Sequence, residues 1–197
     1  MTYKTLGYQY IPNILSVEIC DLLSRQFLMM RDNVMHEYKK HVDDGSYFAN
    51  DELITNSYSV YGSLFSDPLL DLLKPKIEEI VGNKLHSAYS YARVYYNAAE
   101  MEAHLDRPSS EHALTITISF DKTPWDIYLQ DFNKVETCVK LDVGCGVLYQ
   151  GTKIPHWRDP YDGTEQVQFM LFWVDQDGPY ADKKYDGRPL LGSKFIP

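Results

Sequence analysis

The chain has 197 residues, a formal charge of -9, 44% hydrophobic and 24% charged residues, enough for one domain with a buried core. The acidic balance argues against nucleic acid or an anionic membrane as a partner, and no apolar run approaches membrane-spanning length. Cys20, Cys138 and Cys145 are odd in number, widely spaced and free of any CxxC. We therefore expect a reduced, cytoplasmic protein without a disulfide framework or a thiolate zinc site.

Residues 14–31, ILSVEICDLLSRQFLMMR, predict the first helix. Ser16 is a good N-cap, Glu18 suits the positive first turn, and Cys20, Leu23, Phe27 and Met30 recur at helical spacing as a buried stripe. The polar residues 32–57 predict a loop. Asp67-Pro68 then opens a second helix that Gly82 ends, and Pro75 predicts a kink or two short helices.

After Gly82 the texture changes. LHSAYSYARVYY, residues 85–96, is rich in Tyr and Val and predicts a strand. Further on, Ile116, Ile118 and Phe120 alternate with Thr115, Thr117 and Ser119, the pattern of a half-buried strand with one polar face. WDIYLQDF (125–132), TCVKLDV (137–143), GVLYQG (146–151) and QVQFMLFWV (166–174) predict short strands between turn signals. The expected class is α+β, mainly β: a sandwich, jelly roll or barrel behind a helical N-terminal part. Residues 1–84 form that helical part, 85–175 the β core and 176–197 a C-terminal extension, within one domain.

Between the first core strand and the Thr/Ile strand lies MEAHLDRPSS. On a strand, His104 and Asp106 would share a face. His156, in QGTKIPHWRDP, is the third candidate ligand. Two imidazoles and one carboxylate leave about three positions of an octahedron open, the facial triad of non-haem Fe(II) oxygenases. His36, His41, His86 and His112 lack such context. The bland alternative is that His104 and His156 are separate hydrogen-bonded histidines.

From Tyr91 to Trp173 the segments YARVYYNAAEMEAHLDR, LDVGCGVLYQG, PHWRDPYDG and QVQFMLFWVD resemble the Fe(II)- and 2-oxoglutarate-dependent oxygenase superfamily. HWRxP points to its prolyl-hydroxylase-like microbial or phage-type members. The resemblance implies a double-stranded β-helix (jelly-roll) core with N-terminal helices packed on it. It implies His104, Asp106 and His156 as the catalytic metal ligands, Fe(II) as the metal, and 2-oxoglutarate and O2 as cosubstrates. The implied reaction is hydroxylation of a C–H bond with release of succinate and CO2, on a small-molecule or peptidyl substrate.

Tyr95 falls where relatives place a Tyr that hydrogen-bonds 2-oxoglutarate, although a core aromatic would look the same. Arg93 shares its strand face and is a further candidate for the pocket. One departure stands out. Relatives carry an Arg or Lys about ten residues past the distal His to clamp the cosubstrate's far carboxylate, whereas this chain has Gln166 and Gln168 there. Arg158, two residues past His156 on the same strand face, is the replacement candidate; an exposed Arg158 paired with Asp159 or Glu165 is the alternative. Arg107, next to Asp106, is expected on the opposite face. Rival functions are a non-redox jelly-roll binding module and a cupin-like iron dioxygenase that does not use 2-oxoglutarate. Residues 32–57 and the C-terminal KKYDGRPLLGSKFIP are expected to wall the entrance.

Overall fold

The computed structural model describes residues 2–38 and 56–193. In chain order they form α1 (Thr2–Leu6), β1 (Tyr8–Ile11), α2 (Val17–Tyr38), β2 (Ser57–Tyr61), α3 (Asp67–Val81) and β3 (Leu85–Tyr96). Then come β4 (Met101–His104), β5 (His112–Phe120), β6 (Ile127–Gln130), β7 (Glu136–Val139), β8 (Gly146–Tyr149), β9 (His156–Arg158) and β10 (Glu165–Asp175). Short 3-10 turns lie at Pro108–Ser110 and Ala181–Gly187.

The strands make two antiparallel sheets. One has six strands in the order β1-β8-β5-β10-β3-β2, the other four in the order β4-β9-β6-β7. In the large sheet β10 pairs on one side with β3, Glu165 opposite Tyr96 through Asp175 opposite Leu85, and on the other with β5. Strand alternation divides these residues between two environments. Leu114, Ile116, Ile118, Phe169, Leu171 and Trp173 pack with Cys20, Leu23 and Phe27 of α2 and Leu70 and Ile77 of α3. Tyr89, Ala113, Val147, Tyr149 and Phe172 turn the other way, to meet Ile127 and Leu129 of the small sheet.

Several expectations need correcting. The first helix runs to Tyr38, beyond the predicted loop boundary at 32; the rest of that predicted loop up to residue 55 lies outside the described residues. Ser16 does accept a side-chain hydrogen bond from the Ile19 N–H, at 3.4 Å, as an N-cap would. Pro75 sits inside one continuous α3 rather than at a break. Burial of Leu69, Leu70, Leu73 and Ile77 holds the helix together across the one backbone bond proline cannot make. Gly82 ends it at φ 85°, the left-handed conformation glycine adopts without strain.

The Thr stripe of β5 is not a solvent face. Residues 112–118 are all buried, and Thr115 and Thr117 face the space between the sheets, where Gln168 donates to Thr115 Oγ1 (2.8 Å) and accepts from Thr117 (3.1 Å). The polar side of this strand is therefore interior lining, and that interior holds the candidate site.

Candidate metal centre

β4 and β9 pair with His104 directly opposite His156. The imidazole centroids lie 4.3 Å apart, so the two histidines are cross-strand neighbours on one face. β4 ends at His104, which corrects the expectation that strand alternation brings Asp106 alongside. Asp106 instead lies past the strand end, where its N–H donates to the Gly151 carbonyl at 2.9 Å. A Cβ on Gly151 would stand 2.4 Å from Asp106 Oδ2 and 2.3 Å from the Ser110 carbonyl. Only glycine leaves the carboxylate room to turn in.

The ligand atoms of His104, Asp106 and His156 all lie within 4.8 Å of one another. Nε2 of His104 and Nε2 of His156 face Asp106 Oδ1 at 3.7 and 3.6 Å. The opposite nitrogens are spoken for: Nδ1 of His104 meets the Glu102 carbonyl at 2.8 Å, and Nδ1 of His156 meets the Ile154 carbonyl at 3.0 Å. A carbonyl only accepts, so each Nδ1 carries the proton and each neutral ring presents a bare Nε2 lone pair. Asp106 Oδ2 is buried and has no hydrogen-bond partner among the described residues. Two lone pairs and a carboxylate aimed at one point repel each other unless a cation sits between them. Burial holds the His156 imidazole below its usual range, while Asp106 works in the opposite direction. The more exposed His104 is raised, chiefly by its contact with Asp106.

The three residues border a cavity of about 680 Å3 that is also lined by Tyr89, Tyr91, Arg93, Tyr95, Tyr149 and Met170. Register explains the lining: Tyr89, Tyr91, Arg93 and Tyr95 alternate along β3 opposite Phe172, Met170, Gln168 and Gln166 of β10. Arg93 is buried, its guanidinium 5.0 Å from the Tyr91 ring and 5.7 Å from the Tyr95 ring. Tyr95 is buried against Trp125, ring centroids 4.7 Å apart.

Arg158 is only 3% exposed and forms no ion pair among the described residues, which rules out the exposed pairing with Asp159 or Glu165; Glu165 binds Arg31 instead, at 2.5 Å. The Arg158 guanidinium donates to the Trp125 carbonyl and lies 5.0 Å from the Trp125 ring. Burial lowers its pKa, and Tyr95 and Tyr149 are among the groups near enough to oppose that shift. Trp157 points away, stacked on Tyr128 at 5.5 Å. Gln166 and Gln168 spend their amides on each other (3.0 Å), on the Trp125 N–H (2.6 Å) and on Thr115.

Arg107 corrects the expectation that it faces away from Asp106: both line the cavity. Strand alternation does not extend past His104, so adjacent residues can share a side. Arg107 stacks 4.4 Å from the Tyr89 ring and grips Asp186 at 2.6 and 3.1 Å, while the Tyr61 hydroxyl donates to the same carboxylate at 2.5 Å. Part of the C-terminal extension thus meets the cavity edge.

Three contributors were not singled out from the sequence. Tyr149 is buried, with its hydroxyl 3.4 Å from His156 Nε2; its two-residue spacing from Val147 on a strand marks the face it shares. Gly151 reads in sequence only as a turn. Asp186 carries no sequence signal at all.

No protein-family model and no curated protein matches the chain. Solved structures do. A Pseudomonas putida prolyl-4-hydroxylase superposes with a TM-score of 0.62 at 16% identity, covering 88% of this chain and 95% of that one. HygX from Streptomyces hygroscopicus, with nickel and 2-oxoglutarate bound, gives 0.63 at 9% identity over 89% and 85%. AviO1 from Streptomyces viridochromogenes gives 0.67 at 14% identity over 90% and 93%. The chain has the fold of the Fe(II)/2-oxoglutarate-dependent oxygenases.

Proposed function

We propose that the chain is an Fe(II)- and 2-oxoglutarate-dependent oxygenase built on a double-stranded β-helix, and that it hydroxylates a C–H bond of a small-molecule or peptidyl substrate. The observation that carries this reading is the convergence of two deprotonated Nε2 atoms and Asp106 Oδ1 within 4.8 Å, with a buried, unbonded Oδ2 behind them, at the wall of a 680 Å3 cavity. These donors fit Fe(II), which accepts imidazole and carboxylate ligands and keeps facial positions open on such a triad. Iron bound there would supply O2 activation coupled to decarboxylation of the 2-oxo acid: substrate C–H, O2 and 2-oxoglutarate become C–OH, succinate and CO2.

The chain's own residues do the rest. His104, Asp106 and His156 hold the metal, with the backbone carbonyls of Glu102 and Ile154 fixing the two imidazole tautomers. Arg158 neutralises the far carboxylate of 2-oxoglutarate from inside the sheets, in place of a cation at Gln166 or Gln168. It is a buried guanidinium with no carboxylate partner among the described residues, a state that favours an incoming anion. Tyr95 and Arg93 contribute polar groups to the same interior, and the buried tyrosines and Met170 keep bulk water from the reacting atoms.

The test is anaerobic addition of Fe(II) and then 2-oxoglutarate. The expected result is a weak visible charge-transfer band, followed by succinate once O2 is admitted. The Arg158→Ala variant should keep iron and lose 2-oxoglutarate affinity by about 10- to 100-fold, the span of a hydrogen-bonded charge contact. Metal binding without any band would move the assignment to a dioxygenase that does not use 2-oxoglutarate. Absence of both would leave a binding module.

A further inference from the structure

Tyr149 stands apart from the other cavity tyrosines because its hydroxyl depends on a metal ligand. The side chain is 4% exposed, and its ring lies 4.5 Å from that of His156. Its one hydrogen bond among the described residues reaches His156 Nε2 at 3.4 Å. Because His156 Nδ1 already donates to the Ile154 carbonyl, Nε2 can only accept, so the Tyr149 hydroxyl is the donor. That same lone pair is the one a metal takes. A nitrogen lone pair cannot serve both, so loading the site strips a buried hydroxyl of its acceptor, and an unsatisfied buried donor is costly. The hydroxyl stays beside the centre, close enough to Asp106, Arg158, Tyr95 and Tyr89 to feel their charge. By contrast, Tyr89 has a stable partner of its own, Ser110 Oγ at 2.7 Å.

We propose that Tyr149 is a cosubstrate-binding residue: once a metal occupies His156 Nε2, its hydroxyl donates to an oxygen of the 2-oxo acid at the metal-bound end. The partner chemistry is an anionic oxygen of an α-keto acid, which offers the acceptor the hydroxyl has lost. The inference rests on the reading of the chain as a 2-oxoglutarate-dependent enzyme, and it assigns that site a residue on β8 that the carboxylate clamp does not include.

Tyr149→Phe keeps the ring and removes only the donor. Three anaerobic measurements on the full chain test it: Fe(II) affinity, 2-oxoglutarate affinity of the iron-loaded protein, and the energy of the charge-transfer band. We expect iron affinity within about twofold of the parent and 2-oxoglutarate affinity lower by about tenfold. The band should shift to shorter wavelength, because a hydrogen bond that stabilises the acceptor orbital of the keto acid is gone. Tyr128→Phe, which removes a hydroxyl from a ring stacked on Trp157 outside the cavity lining, should leave band and affinity unchanged. Unchanged affinity and band in Tyr149→Phe would overturn the proposal. Loss of iron together with the cosubstrate would overturn it too, since Tyr149 would then be a support for His156; circular dichroism separates that case from misfolding. If the parent itself shows no band, the oxygenase reading fails rather than this assignment.

Discussion

Two clusters in this molecule have nearly the same ingredients. His104, Asp106 and His156 gather their ligand atoms within 4.8 Å, and so do Glu111, His112 and Asp175. The second cluster is closed. His112 Nδ1 is bonded to the Tyr3 hydroxyl at 2.6 Å and Nε2 to Asp175 at 3.1 Å. Asp175 also accepts from Asn83 at 2.9 Å, and Glu111 accepts the Asp175 N–H at 2.8 Å. Its donors and acceptors match one another and fasten α1 to the ends of β5 and β10. In the first cluster the Nδ1 atoms are satisfied, and the two Nε2 atoms and the carboxylate turn lone pairs inward, with only the Tyr149 hydroxyl, 3.4 Å from His156 Nε2, meeting one of them. What separates a metal centre from a structural network is thus the direction of unspent lone pairs, rather than residue type or compactness.

That contrast can be broken in several ways. The largest effect is expected from Asp106→Ala, which should lower metal affinity by about 100-fold or more, above the range for outer-shell changes, while far-ultraviolet circular dichroism stays native. Gly151→Ala comes next. Its Cβ would meet the Ser110 carbonyl and Asp106 Oδ2 at 2.3 and 2.4 Å, so the carboxylate must move. Isothermal titration should then show metal affinity reduced by roughly tenfold, together with a stability loss of about 1–3 kcal/mol on denaturant unfolding. A wild-type affinity would show that Asp106 need not hold its present position.

Asp175→Ala should act the other way round, costing about 1–3 kcal/mol of stability with metal affinity unchanged. Smallest is a pH effect on the same residue. Its hydrogen bond from His112 holds the Asp175 carboxyl below its ordinary value. A depressed folded-state pKa means the stabilisation is present above about pH 4 and is lost as pH falls through the folded value. The stability gap between parent and Asp175→Ala should therefore be flat near neutrality and narrow below about pH 4. A gap that instead shrank on raising the pH would contradict this network.

Much of the scaffold was legible in the chain. β3 spans Leu85–Tyr96 as its Tyr- and Val-rich composition predicts, and α3 begins at Asp67 and stops before Gly82 as its punctuation predicts. The three site histidine and aspartate positions were also visible as a pattern, and the structure brings them together. How they meet was not. Asp106 reaches the histidines from past a strand end, in a space left by Gly151, and no local periodicity encodes that contact between distant segments. The alternation of Thr115 and Thr117 with Ile116 and Ile118 was visible, but period two cannot say whether the polar side meets water or an enclosed interior. β1 and β2 were missed because each is short and only partly buried, which weakens the alternation signal. Arg107 misled because strand rules were carried three residues past the end of β4.

The most direct test of the central claim is a cobalt(II) titration of the purified chain, reading visible absorption and stoichiometry in the parent, His156→Ala and His112→Ala. The account predicts one ion per chain in the parent and in His112→Ala, and none at comparable concentration in His156→Ala. Binding retained in His156→Ala, or lost in a folded His112→Ala, would mean that the ion chooses between these clusters on grounds other than open lone pairs.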